Sequence, residues 1–346
     1  MLYAATRNKN DVETAYKSIH LDCASDGGLF TPFRMVTFDK QDILELKDRS
    51  FGQNMAHMLN FFFSADLTGW DIEFAIGRSP VQIDTLAHRI LIAESWHNSQ
   101  WKFDHVVQLI SDRLRGDEGG QIPSNWVSIA VRISALFASY GLLLATGRVE
   151  QDDVFDVAVT TGDFAAPMAA WYSRCMGLPV GNILCGCNTN GGVWDLLNHG
   201  EMATGGTAVR TVTPDADVVI PRNLERLVYE SLGMEENLRY LDCCRTGSAY
   251  ALNEQQLDQL RSGMFAAVIS DSRVESIIHS VWRTSNYIFS PYAALAYGCL
   301  LDYRAKTGES RNVLLLAERS PTCDVERVAK FMRVDTSDVF RSMSEK

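Results

Sequence analysis

Apolar and polar positions along this 346-residue chain change period several times, and each change predicts an element. In residues 91–114, Val106, Leu109, Ile110 and Leu114 fall at helical spacing. A loop dense in polar and aromatic groups precedes them: Trp96, His97, Asn98, Ser99, Gln100, Trp101, Lys102, Asp104 and His105. Toward the N-terminus the pattern predicts a helical segment over 11–21. It predicts mostly helix over 41–90, with segments 40–46, 53–63 and 67–76. The run Phe61-Phe62-Phe63 belongs in a core, because aromatic clusters bury a large apolar area. Between them, Asp26-Gly27-Gly28 is turn chemistry, since glycine accepts positive φ at little steric cost.

After the polar, turn-rich link 115–121, Pro123-Ser124-Asn125-Trp126 leads into a long apolar helix through Leu144. Residues 154–160, 161–166, 167–176 and 183–187 follow as strand, loop, helix and strand. That is βαβ grammar, with a parallel sheet and a right-handed crossover. Residues 235–275 are expected to be helical and polar on one face. Residues 312–321 hold a strand and its exit, and 325–339 a helix, a loop and a second short helix.

Composition narrows the function classes. The chain is 46% hydrophobic and 22% charged, ordinary for a globular protein with a large core. Net charge is −11 and no basic stripe is visible, so no nucleic-acid partner is expected. No membrane association is expected either: the longest apolar candidate, 133–144, is interrupted by Ser139, Tyr140 and Gly141. The first residues lack a signal-peptide pattern, and eight cysteines without regular spacing suit reduced core thiols. A cytoplasmic protein is expected. Cys185-Gly186-Cys187 has no second pair at ligand spacing, so no metal site is expected, and no G-x-S-x-G nucleophile motif occurs.

Five stretches together resemble the threonine synthases, enzymes of pyridoxal-phosphate (PLP) fold type II. Tyr3 and Thr6-Arg7 followed by Ala24 to Pro32 are similar to Y-x-S-T-R and A-x-D-G-G-L-F-x-P. The loop at 91–104 resembles L-F-H-G-P-T-L-A-F-K-D. Thr161-Gly162-Asp163-Phe164-Ala165-Ala166, then Met176-Gly177-Leu178-Pro179, resembles T-G-N-F-G-N and M-G-L-P. Residues 215–227 resemble S-M-D-I-x-V-P-S-N-F-E-R-L-L. Residues 287–298 resemble a segment containing L-D-P-H-T-A-V-A-Y. The resemblance implies an α/β fold, with a parallel-sheet large domain of the tryptophan-synthase-β-like class. It divides the chain into an N-terminal domain over 1–90 and a core over 91–346. The second, small α/β subdomain is expected to be reduced or missing, deleted near 115–122.

The same resemblance shows where the chemistry departs. Aligned without gaps, the lysine that holds PLP as an imine falls at Asp104, and a carboxylate cannot form that bond. In the phosphate loop, Asp163 replaces a neutral Asn and Ala165-Ala166 replace Gly-Asn; an aspartate repels phosphate, and a Cβ obstructs backbone approach. The alternative role for Asp163 is a helix cap. The D-P-H-T segment becomes Ser290, Pro291, Tyr292 and Ala293, and the group meeting the pyridine nitrogen becomes Ala317 or Glu318. Substitutions that strike chemistry and spare the fold imply a scaffold no longer selected for PLP.

The expectation is therefore a threonine-synthase-like pseudoenzyme of the carbon–oxygen lyase class that has lost PLP-dependent phosphohomoserine lyase activity. It is repurposed for PLP-independent small-molecule chemistry or binding at the old cleft, with no cofactor. Candidate catalytic residues are His97, Lys102, Asp104 and His105. Gly162, Asp163 and Phe164 form the degenerate phosphate loop, and Trp101, Asn125, Ser290, Tyr292 and Glu318 line the substrate pocket. Two alternatives stay open: an active PLP enzyme using Lys102, and a non-catalytic paralogue that engages a protein partner. An amino-acid-like or phosphorylated ligand, a protein partner and a homodimer are all compatible with the sequence.

Overall fold

The chain begins with a small antiparallel sheet in which β1 (Leu2–Ala5) lies between β2 (Val12–Thr14) and β3 (Phe30–Pro32). The main sheet then begins with β4 (Gln82–Ala87), β5 (Ile90–Glu94), β6 (Phe155–Thr160) and β7 (Val180–Cys187). After a two-residue antiparallel pair, β8 (Glu201–Met202) with β9 (Tyr250–Ala251), come β10 (Met264–Val268) and β11 (Val313–Ala317). The computed structural model describes residues 1–77, 81–87, 89–95, 106, 109, 110, 112, 113 and 125–344. Its main sheet has the order β10-β7-β6-β11-β5-β4, parallel throughout except for β4 against β5. This is the expected α/β architecture with a mostly parallel central sheet.

Both faces of the sheet are covered, which is why the inner strands β5 and β11 are nearly continuous apolar runs. Side chains alternate between two cores at period two. Val157, Val159, Ile183, Cys185 and Cys187 join the core shared with the N-terminal helices and the Asn125–Ala145 and Ala165–Cys175 helices. Ala158 and Leu184 join the core under the Asp271–Ser285, Pro291–Thr307 and Val325–Met332 helices. Cys185 and Cys187 are thus buried free thiols, as expected. The glycine between them is required by packing: a Cβ on Gly186 would lie 2.4 Å from the Leu295 carbonyl oxygen.

Several elements differ from the pattern-based expectation. Residues 11–21 divide into β2 and the short helix Ala15–His20. The helices Lys40–Leu44, Phe51–Phe63 and Gly69–Ile76 match, but the end of the supposedly helical 41–90 stretch is β4. Inside the expected helical stretch 235–275 lies β10, an edge of the main sheet. Met264-Phe265-Ala266-Ala267-Val268 is five residues long and apolar, and periodicity does not separate such a run from a buried helical turn; pairing with β7 decides it. The helix Asn125–Ala145 extends well beyond 133–144, which the sequence offered as the longest apolar candidate, and corrects that length. By length and composition Trp126–Ala145 is long and apolar enough to cross a membrane; 72% of its most apolar window is buried inside the protein.

The N-terminal strands are fastened to the Leu224–Leu232 helix by charge. At the start of the Leu224–Leu232 helix, Glu225 accepts from Thr6 Oγ1 at 2.5 Å and from Arg7 Nε and Nη2 at 3.1 and 3.0 Å. Arg226 is fully buried and donates through Nε and Nη2 to the Phe30 carbonyl at 2.9 and 2.7 Å. Burial lowers its pKa to about 10, still high enough to keep the cation at neutral pH. The turn expected at Asp26-Gly27-Gly28 is present: Gly27 has φ +80°, and Asp26 Oδ1 accepts from Gly28 N at 2.8 Å.

Candidate functional site

Ligands of open α/β sheets sit beyond the carboxyl ends of the parallel strands. At that end β6 runs into the loop 161–164 and the Ala165–Cys175 helix, β7 into Asn188, and β11 into Glu318 and Arg319. Ser95, which follows β5, hydrogen-bonds the Ala317 carbonyl from its main-chain N–H at 3.2 Å.

The main-chain donors of the loop are mostly engaged, as buried N–H groups must be. The Phe164 N–H donates to the Thr161 carbonyl at 2.7 Å. The Ala165 N–H donates to Oδ1 of Asp163 at 3.0 Å. Residue 167 is proline and has no N–H, and the Met168 N–H already donates to the Phe164 carbonyl at 3.2 Å. Of the first-turn donors, the Ala166 N–H alone has no partner among the described hydrogen bonds. The other oxygen of Asp163 is also engaged, accepting from Asn223 Nδ2 at 3.2 Å. Asn223 in turn accepts from Nη1 of buried Arg226. The N-cap position is Phe164, without a side-chain cap bond; Asp163, one residue earlier, takes the first N–H of the helix and places a carboxylate at the end of the element where an anion would bind. Two neighbours complete the loop: Gly162 at φ +46° and Phe164 at φ +69°, the latter fully buried.

Three of the expected pocket residues, Ser290, Tyr292 and Glu318, have structural partners. Ser290 is buried and caps the Pro291–Thr307 helix, its Oγ accepting from Ala293 N at 3.2 Å. Tyr292 donates its hydroxyl to Asp215 Oδ2 at 3.0 Å, and burial raises its pKa, which keeps that proton in place. The Arg319 guanidinium lies 4.7 Å from the Tyr292 ring centroid and pairs with Asp215 at 2.6 Å. Glu318 is held in a two-bond grip by Arg132, Nε to Oε1 at 2.7 Å and Nη2 to Oε2 at 3.0 Å. Burial works against the Arg132 cation, but Glu318, and more distantly Asp163, outweigh it and keep its pKa above the ordinary arginine value.

Arg132 is a residue that the sequence reading passed over as part of an apolar helix. No local signal marks it, because Glu318 is 186 positions away. A second network passed over is the knot at the β7 exit. Asn188 Nδ2 donates to Thr211 Oγ1, Thr213 Oγ1 and Asp217 Oδ1 at 3.1, 3.1 and 2.8 Å. Arg222 is a surface arginine paired with Asp22 at 2.5 Å. Among the described residues no group of three His, Cys, Asp or Glu is placed to hold a metal ion. His97, Trp101, Lys102, Asp104, His105 and the deletion expected near 115–122 lie outside the described residues. So does the side chain of Asn125, whose backbone opens the Asn125–Ala145 helix.

Comparison with known proteins agrees with the architecture. Residues 2–79 match the family model described as the threonine synthase N terminus. Human threonine synthase-like 1 is 23% identical over 175 residues, covering 50% of this chain and 24% of that protein. Threonine synthase of Pseudomonas aeruginosa is 25% identical over 176 residues, covering 49% of this chain and 36% of that protein. The matched stretch thus spans between a quarter and somewhat over a third of these relatives' own length. In three dimensions the PLP-bound threonine synthase of Brucella melitensis superposes with a TM-score of 0.85 at 17% identity, covering 96% of this chain and 92% of that one. The yeast threonine synthase gives 0.81 at 14% identity, with 96% and 90% covered. The chain is thus similar to threonine synthases over its N-terminal residues 2–79 and shares their PLP fold type II architecture over nearly its whole length.

Proposed function

We propose that this chain is a threonine-synthase-like protein that does not run PLP-dependent phosphohomoserine chemistry, and that it binds a small molecule at the carboxyl ends of its strands without that cofactor. One observation carries the proposal: the carboxylate of Asp163 occupies the N-terminus of the Ala165–Cys175 helix. Helix termini bind phosphate through several main-chain N–H groups aimed at the anion. Here one first-turn donor is taken by a carboxylate and another is removed by Pro167. The described loop does not fit the phosphate of PLP. The substitution pattern supports the same reading, with Asp104 at the position where the resemblance expects the imine lysine.

A second reading, PLP chemistry through Lys102, is favoured by the PLP-bound Brucella melitensis neighbour. At 17% identity that likeness conveys the fold. Turnover decides between the two. Purified protein supplied with PLP and phosphohomoserine is expected to release no inorganic phosphate above a protein-free control. Phosphate release that disappears in Lys102→Ala would establish the second reading.

A further inference from the structure

Arg132 sits within the Asn125–Ala145 helix and faces the turn that follows β11. Its two bonds to Glu318 are the side-by-side arrangement in which a guanidinium recognises a carboxylate. Arg132 has further anchorage: Nη1 donates to Ser128 Oγ at 2.6 Å and to the Ser128 carbonyl at 3.3 Å, one helical turn earlier. Glu318 is held differently. It lies just past the strand on a segment open to water, and its side chain is 39% exposed against 21% for Arg132. Arg132 is the partner of its carboxylate among the described hydrogen bonds. A cation anchored on its own helix thus faces a more exposed acid, at the end of the sheet where ligands are received.

We propose that Arg132 is the anchor for the carboxylate of a small-molecule ligand and that Glu318 is its internal stand-in, displaced when the ligand enters. The inference rests on the reading of this cleft as PLP-free. A carboxylate is favoured over a phosphate by charge. Asp163 already holds the neighbouring helix terminus and acts on Arg132, so a more highly charged anion meets repulsion that a single carboxylate feels less. An intramolecular acid competing for the same fork lowers the apparent affinity of any ligand, because it is present at high effective concentration.

Titration calorimetry on the full chain, with sodium succinate and separately with inorganic phosphate, tests this. Glu318→Ala is expected to bind succinate about tenfold tighter than the native chain, equivalent to about 1.4 kcal/mol, with no matching gain for phosphate. Glu318→Gln, which keeps the side-chain volume, is expected to show a smaller gain in the same direction, and stands in if the alanine variant does not fold. Adding Arg132→Lys to either variant is expected to abolish the gain, since lysine cannot supply the fork. An unchanged succinate affinity on removing the Glu318 charge overturns the proposal. So does a gain that survives Arg132→Lys, or an equal gain for phosphate. A PLP imine in the native chain would defeat the cofactor-free reading and leave the succinate comparison to be judged on its own.

Discussion

Asp163 and Arg226 are two charged residues with opposite surroundings, and their substitutions should separate cleanly. Asp163 accepts the Ala165 N–H through Oδ1, so Asp163→Ala should cost about 1 kcal/mol of stability. Asp163→Asn retains an oxygen at the same place and should cost about half a kcal/mol or less. Urea unfolding of the two variants checks this, and equal losses would show that the charge rather than the hydrogen bond matters. Arg226 is buried against the Phe30 carbonyl and the Trp126 ring, 5.7 Å from its centroid. Arg226→Met leaves that carbonyl and Asn223 Oδ1 without their donor, and should cost about 3 kcal/mol in the same measurement. A loss near zero would mean that water replaces the guanidinium.

Between elements, the contact of β3 with the Ala165–Cys175 and Leu224–Leu232 helices carries a buried acid. Glu230 accepts from Thr31 Oγ1 and from Tyr172 Oη, the latter at 2.9 Å. Burial raises its pKa above the ordinary glutamate value, while the two hydroxyls and Arg226 act in the other direction. A carboxyl whose native pKa is raised stabilises the fold fully below its unfolded pKa, and that contribution is lost as pH rises through the native value. The native chain should therefore lose stability from this site as pH climbs above about 4.5, the unperturbed value. Glu230→Gln should flatten that part of the curve and be at least as stable as the native chain at neutral pH. Thermal unfolding across pH 4 to 8 checks it; parallel curves for the two proteins would contradict it. Legibility in the sequence also varied by element. The Phe51–Phe63 helix and the β6–helix–β7 unit were visible, because long periodic runs and Gly-marked turns are local signals. β4 and β10 were misread because a strand of five or six residues owes its identity to its neighbour across the sheet.

At the scale of the whole molecule, the fold is that of the threonine synthases while the described parts of the cleft are tied up by the chain's own groups. Asp163 holds the helix terminus, Glu318 holds Arg132, and Tyr292 and Arg319 share Asp215. The sequence marked Asp163, Tyr292 and Glu318 as departures from a known pattern. It could not show that each is satisfied by a partner, because those partners stand 60, 77 and 186 positions away. The measurement that bears most directly on this picture is a PLP titration of the purified chain, followed by absorption, with borohydride trapping and peptide mapping. The account predicts no saturable imine band and no PLP adduct enriched on any one lysine. A saturating band with the adduct on Lys102 would contradict it.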